Sequence, residues 1–389
     1  MAQRLVFSKE NKTGGVDITL FEQITTKQNF KAAYHKCLKG DGKYSTDAIL
    51  FTKDETYNLE SLRQSIIDGS YTFSGYNRFV VFEPKERIVD APRFKDKIVQ
   101  IAINNILKEN RNKTFIYDSY ACIDNKGTHK CVDRIHKFIG KAKWDYGKDA
   151  QIIKIDIAKF FYTIDREVLK KILKSKIDCE KTLALLFKII NSADALDLLG
   201  LPLGNTLSQI CANIYMDKLD QYCKRHLGIK YYARYADDII VITKDKSEAI
   251  ETLIKMNDFI EKRLNLKANI KKTKFFPINQ GVNTVGFKIH ATHKLLRNDS
   301  KKRIKQKAKK LRTLIADGKI TPRKAEQIFN SWLGHAKTGS SKNFIDSLMR
   351  KNDYLFLDSK GKIRVKVDKL NGGKHEHSRN NVPKLRQTT

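Results

Sequence analysis

Three aspartates carry the strongest chemical signal in this chain. Asp237 and Asp238 are adjacent in YYARYADDIIVIT (231–243), between two apolar, β-prone runs, and Asp156 ends the apolar run IIKID. Asp is also a common turn residue, because its side chain binds nearby backbone amides. Alone, the 231–243 stretch reads as a structural turn as readily as a catalytic one. The second aspartate site changes the balance. A sheet that sets the end of the 152–156 run beside the 236–238 turn would bring three carboxylates together. Crowded carboxylates repel unless a cation neutralises them. Two Mg²⁺ ions, with Mn²⁺ as a substitute, would do so, one activating a hydroxyl and the other steadying a pyrophosphate leaving group. The protein's expected share is positioning and charge neutralisation.

The rest of the composition fits a polyanionic partner. Lys and Arg number 76 against 43 Asp and Glu, a formal charge of +33, and 41% of residues are hydrophobic, enough for a core. Such a charge excess favours nucleic acid. No apolar run of about 18 residues and no secretory signal pattern is found, which argues against a membrane partner. The six cysteines form no CxxC pair, so neither a zinc ribbon nor a disulfide framework is expected. Reduced, buried thiols and a cytoplasmic location are.

These residues need elements to hold them. NLESLRQSIIDG (58–69) has helical spacing with Gly69 as its stop, and 78–92 reads as two strands around a Pro-Lys turn. A helix is predicted over 93–107, from apolar residues at 94, 98, 101, 102 and 106. The run 150–165 begins as a strand and turns into a helix. A Gly/Pro loop at 199–204 leads into a long amphipathic helix. The 231–243 hairpin, a helix over 247–265 and a strand pair in NTVGFKIH (283–290) follow. From residue 297 onward the chain holds 25 Lys and Arg against 8 Asp and Glu. Its first helix there has Ile304, Ala308, Leu311 and Ile315 on one face, and 297–355 reads as a separate small helical domain. The Gly-, Lys- and Asn-rich stretch beyond Asp358 is expected to be mobile.

The motifs in their order resemble the palm of a reverse transcriptase: IDIAKFF, then LPLGNTLSQ, then YADD in a hairpin, over roughly 78–290. The resemblance implies an α+β right-hand polymerase fold. Residues 1–20 would be an N-terminal extension, 21–150 fingers with the start of the palm, and 151–296 the palm, with inserted helices over 166–225. A helical thumb would span 297–357 and a basic flexible tail 358–389. It implies Asp156 and Asp237 as principal metal ligands, Asp238 as third, and the Ile157 carbonyl beside them. Phe161, with its neighbour Phe160, falls at the aromatic position that selects dNTPs; one of the two is expected in the core. Lys85 and Arg87 match triphosphate-binding positions, with Leu203, Gly204 and Gln209 beside the nascent pair. Lys272 matches a general acid for pyrophosphate, with Lys271 and Lys274 as rivals. Gly286 lies in a stretch resembling the primer grip. The thumb's Lys301, Lys302, Arg303, Lys305, Lys309 and Arg312 would track template–primer phosphates, while Trp332 and His335 read as packing.

Leu203 replaces a Gln common in that family, and Ser208-Gln209 replaces Ser-Pro. With FKDKIVQ, YACIDNKGTH, THKLLR and SWLGHAK, this is similar to the reverse transcriptases of diversity-generating retroelements, which are bacterial or phage-encoded. That subgroup implies copying of a template RNA into cDNA with errors opposite adenines. It also implies an RNA/cDNA duplex, dNTPs and a small basic helical oligomeric accessory protein as partners. The alternatives are an antiphage-defence reverse transcriptase of the same superfamily and a non-catalytic RNA-binding protein on the same scaffold.

Overall fold

The computed structural model describes residues 18–82, 86–111, 114–192 and 199–370. Helices α1 (Leu20–Ile24), α2 (Lys27–Cys37), α3 (Thr46–Lys53) and α4 (Glu55–Ile67) open the described chain. Thr19, Thr26, Ser45 and Asp54 cap them, each accepting a backbone amide from the first turn. Gly69, at φ 82°, follows the end of α4 in the left-handed conformation that glycine tolerates. An antiparallel hairpin, β1 (Tyr76–Val81) and β2 (Arg87–Pro92), precedes α5 (Phe94–Arg111) and α6 (Thr128–Tyr146).

The central sheet follows. Strand β3 (Gln151–Asp156) leads into α7 (Phe160–Thr163), α8 (Arg166–Lys174), α9 (Glu180–Asn191) and α10 (Thr206–Gln221), and then the hairpin β4 (Tyr231–Tyr235) and β5 (Asp238–Thr243) returns to it. Helix α11 (Lys246–Leu264) and strand β6 (Lys274–Pro277) complete a four-stranded antiparallel sheet in the order β4-β5-β3-β6. A three-stranded sheet, β7 (Val282–Thr284), β8 (Phe287–Ile289) and β9 (Lys294–Leu296), stands beside it. Helices α12 (Asn298–Ala316), α13 (Pro322–Ala336) and α14 (Lys342–Arg350) follow, then a hairpin of β10 (Leu355–Leu357) and β11 (Ile363–Val365) and a short 3-10 turn at Val367–Lys369.

Strand alternation gives the central sheet two apolar faces. Ile153, Ile155, Ile239 and Val241 face α10 and α11 in one core. Ile152, Ile240 and Ile242 face α6 in a second core, which runs without a break into Ile304, Leu311, Phe329 and Leu333. The helices beyond residue 297 are therefore not separate: they share a core with the sheet. The expectation of mobility from Asp358 is also corrected. Residues 358–370 fold back, with Ile363 buried and its amide donated to Asn330 Oδ1 at 2.8 Å. The Asp358 carboxylate pairs with Arg364 at 2.9 Å. Residues 371–389 and 1–17 lie outside the described residues.

Candidate active site

Residue register builds the site. Asp156 and Asp238 are direct partners across the β3–β5 pair, and Tyr235 pairs with Asp238 across a two-residue turn of Ala236 and Asp237. Lys154, Asp156 and Asp238 project from one sheet face, because side chains alternate and β3 and β5 are in register. Each of the two paired aspartates carries a lysine. Lys272 Nζ donates to both oxygens of Asp156, at 2.8 and 2.9 Å. Lys154 Nζ lies 3.3 Å from Asp238 Oδ2 and also bonds the Asn283 carbonyl at 2.5 Å. The Thr284 hydroxyl completes the Asp238 shell, donating at 2.7 Å.

Burial and mutual repulsion make Asp237 and Asp238 reluctant to ionise. Burial pushes the Asp237 carboxyl above the usual carboxylate range; the charges of Asp156 and Asp238 push the same way, while its own backbone amide and Lys272 oppose them. Burial likewise raises Asp238, opposed by Lys154 and the Thr284 hydroxyl. The Oδ1 atom of Asp238 is buried and accepts no hydrogen bond, although Lys154 Nζ stands 3.2 Å away out of line.

The expected convergence of three carboxylates is met in part. Backbone pairing brings them to one end of the sheet. Yet among the described residues no group of three His, Cys, Asp or Glu side chains is gathered closely enough to hold a metal ion. The lysine ammoniums occupy the acids instead. The donor set, all hard carboxylate oxygen with one buried oxygen lacking a hydrogen bond, suits a hard divalent cation such as Mg²⁺ or Mn²⁺.

The surroundings sort the other predicted residues. Phe160 is only 4% exposed and belongs to the core, so its expected place at the substrate is corrected. The half-buried Phe161 meets it edge-on, ring centres 5.5 Å apart. Ile157 is buried, its backbone bridging Ala268. Arg87 opens β2 and is exposed, on the same face of the hairpin as Val89. Lys85 lies outside the described residues. The loop before α10 is pressed against that hairpin: the Asp90 amide donates to the Leu203 carbonyl at 2.7 Å. Gly204 has φ +97°, and a Cβ there would sit 2.6 Å from Val89 Cγ1. Asn205 caps α10, whose first turn buries Leu207 and Ser208 and exposes Gln209.

A cavity of about 990 Å³ opens from Asp156 and Asp238 along Lys271, Lys272, Lys274, Lys288, Arg297 and Arg303 to the base of α12. Gly286, at φ +88°, lines it, packed so closely on His335 that a Cβ would lie 3.0 Å from Nε2. His335 also packs against Phe287 with the rings tilted and their centres 4.5 Å apart, so the packing role expected for it holds. Lys301 and Lys305 lie 5.7 and 5.6 Å from the Phe344 ring centre, while Lys302 and Lys309 are exposed. Arg312 departs from the expected phosphate role. Its guanidinium donates to Asp353 Oδ1 and to the Lys369 carbonyl, both at 3.0 Å, and so ties the C-terminal hairpin to α12. Lys154 and Thr284 were missed in the sequence reading. The only local signal was a lysine interrupting the apolar run IIKID two residues before Asp156.

Comparison with known proteins gives this arrangement a context. The family model for reverse transcriptase (RNA-dependent DNA polymerase) matches residues 83–289. The putative COX1/OXI3 intron 2 protein of Saccharomyces cerevisiae is 22% identical over 74% of this chain. The group II intron-encoded protein LtrA of Lactococcus lactis is 24% identical over 57% of it. The chain spans 41% of the yeast protein and 37% of LtrA. A solved telomerase from Candida tropicalis, in complex with a fragment of telomeric RNA, is 12% identical with a TM-score of 0.46, covering 76% of this chain and 59% of that one. The family match takes in more than half of the chain and both strands that carry the paired aspartates, and on that ground the chain belongs to the reverse transcriptase family.

Proposed function

We propose that this chain is an RNA-directed DNA polymerase that extends a DNA primer on an RNA template. One observation carries the reading: Asp156 and Asp238 are register partners at the head of a cation-lined cavity, and Asp237 lies in the turn that adjoins them. Asp156, Asp237 and Asp238 would hold divalent metal, which when bound supplies charge neutralisation for nucleotidyl transfer. Lys272, already paired with Asp156, would hold a proton near a leaving pyrophosphate. Arg87 and Phe161 would bind and select the dNTP. The basic cavity would bind the RNA/cDNA duplex through its phosphates.

The test is Mg²⁺-dependent dNTP incorporation on a primed RNA template. Wild type should extend the primer, and Asp237→Asn should reduce extension by at least about 100-fold while RNA binding stays near wild type. Incorporation by Asp237→Asn close to wild type would sink the reading.

The finer reading is a diversity-generating polymerase that errs opposite template adenine and works with a small basic oligomeric accessory protein. The position of Leu203 supports it: its carbonyl accepts the Asp90 amide of β2, the strand that also carries Arg87. A leucine supplies shape but no amide hydrogen bond, which weakens discrimination between bases. Leu203→Gln should lower misincorporation opposite adenine, counted by sequencing the products. An unchanged error spectrum would favour the antiphage-defence reading.

A further inference from the structure

The turn that carries Asp237 is held from the opposite side of the sheet. Arg234 lies on β4, two residues before Ala236, and is 1% exposed. All five of its guanidinium N–H donors are engaged. Nε and Nη2 form a two-pronged pair with Asp220 of α10, at 2.8 and 2.7 Å. Nη1 donates to Asn213 Oδ1 at 3.2 Å and Nη2 to Ser119 Oγ at 3.0 Å. The fifth bond runs from Nη1 to the carbonyl of Ala236 at 3.0 Å. Asp220 is itself fully buried and accepts the Tyr232 hydroxyl at 2.6 Å.

Ala236 needs such a hold. Its φ of 55° lies in the left-handed region, which a side chain with a Cβ disfavours. A buried ion pair is also a poor way to gain stability, since apolar residues of like size often serve as well. What apolar packing cannot supply is a directed donor to one carbonyl. The guanidinium fork couples that carbonyl to α10 and to the 114–127 loop, whose backbone brackets Arg234 through the Asp118 carbonyl and the Tyr120 amide.

We propose that Arg234 is a positioning residue: locked to Asp220, it fixes the Ala236 carbonyl and thereby the orientation in which Asp237 meets a divalent cation. The metal competence of the site is then set by a buried pair on the far face of the sheet. This rests on the polymerase reading, and the test separates the two.

Arg234→Lys keeps the charge and loses the fork, and Asp220→Asn keeps the shape and loses the pairing. Met256→Ala, in the core on α11, serves as a destabilised control. Three readouts are taken on the full chain: thermal melting, Mn²⁺ binding by electron paramagnetic resonance without nucleic acid, and primer extension against Mg²⁺. Arg234→Lys and Asp220→Asn should weaken Mn²⁺ binding and raise the half-saturating Mg²⁺ by about tenfold, as loss of support behind a metal ligand does. Extension at saturating Mg²⁺ should recover to within about threefold of wild type. Met256→Ala should lower the melting temperature with metal dependence unchanged. Wild-type metal dependence in both pair variants, or the same shift in Met256→Ala, overturns the inference. If Arg234→Lys does not fold, Asp220→Asn decides alone. A wild-type chain that neither binds Mn²⁺ nor extends the primer refutes the polymerase reading instead.

Discussion

Asp237 and Asp238 are acids whose folded surroundings favour the protonated form, through burial first and neighbouring carboxylates second. A carboxyl raised in the folded state stabilises the fold most below its unfolded pKa. That stability is lost as pH rises through the folded pKa. The metal-free protein should therefore lose stability from these groups as pH climbs out of the ordinary carboxylate range. Asp237→Asn removes the charge without removing the shape. It should raise the metal-free melting temperature at pH 7 by roughly 1–3 °C, and the gain should vanish at about pH 4 and below. Calorimetry across that range checks the sign; a destabilised Asp237→Asn at neutral pH would contradict it. The two lysines act in the same direction as a metal would. Lys154→Met should leave Asp238 with only the Thr284 hydroxyl and raise its carboxyl further, which NMR titration of labelled Asp would read.

Single elements carry the geometry between these groups. The loop at Leu203 and Gly204 is where the β1–β2 hairpin touches the start of α10, and it tolerates no side chain at 204. Gly204→Ala meets both a positive φ and a 2.6 Å clash with Val89 Cγ1. It should cost about 1–3 kcal/mol and displace β2, and with it Arg87, so dNTP use should suffer more than RNA binding. Urea melts and the KM for dNTP separate the two effects. Between β7 and β8 the turn residues Val285 and Gly286 both have positive φ. A β-branched residue there is strained. The hold comes from packing: Val285 packs against the second core, and Gly286 lies against His335 of α13. This turn ends the strand bearing Thr284, so the bond to Asp238 depends on a helix far along the chain.

Charge and core continuity govern the molecule as a body. A formal charge of +33 predicts nucleic-acid affinity that falls steeply with salt. Replacing Lys301, Lys302, Lys305 and Lys309 by Gln should reduce the slope of log affinity against log salt by about 2–4, without loss of folding, because these side chains flank rather than fill the buried stripe of α12. Titrations from low to moderate salt measure it, and an unchanged slope would remove α12 from the phosphate path. The shared core makes a second prediction. Leu311→Ala, on the buried face of α12, should cost about 2–5 kcal/mol in one cooperative transition. A separate early transition would show that these helices fold on their own. The right-hand polymerase fold thus closes on itself through the apolar layer beneath its sheet.

Local patterns were enough for several parts of this. Alternating and helical apolar spacing placed α4, α5, α11, α12, the β1–β2 hairpin and the β4–β5 hairpin, because periodicity follows directly from which face meets a core. The aspartates were legible because paired charges between apolar runs demand a reason. Other features arise only between distant segments. Phe160 and Phe161 are equivalent in sequence, and packing alone sends the first inward. Arg312 looks like its basic neighbours until Asp353 and the Lys369 carbonyl are brought beside it. The ammoniums on Asp156 and Asp238, and the buried Arg234–Asp220 pair, come from residues 116 and 84 apart in one case and 14 apart on separate elements in the other. A chain's composition states which charges must be neutralised; only its folded path decides which partner arrives to do so.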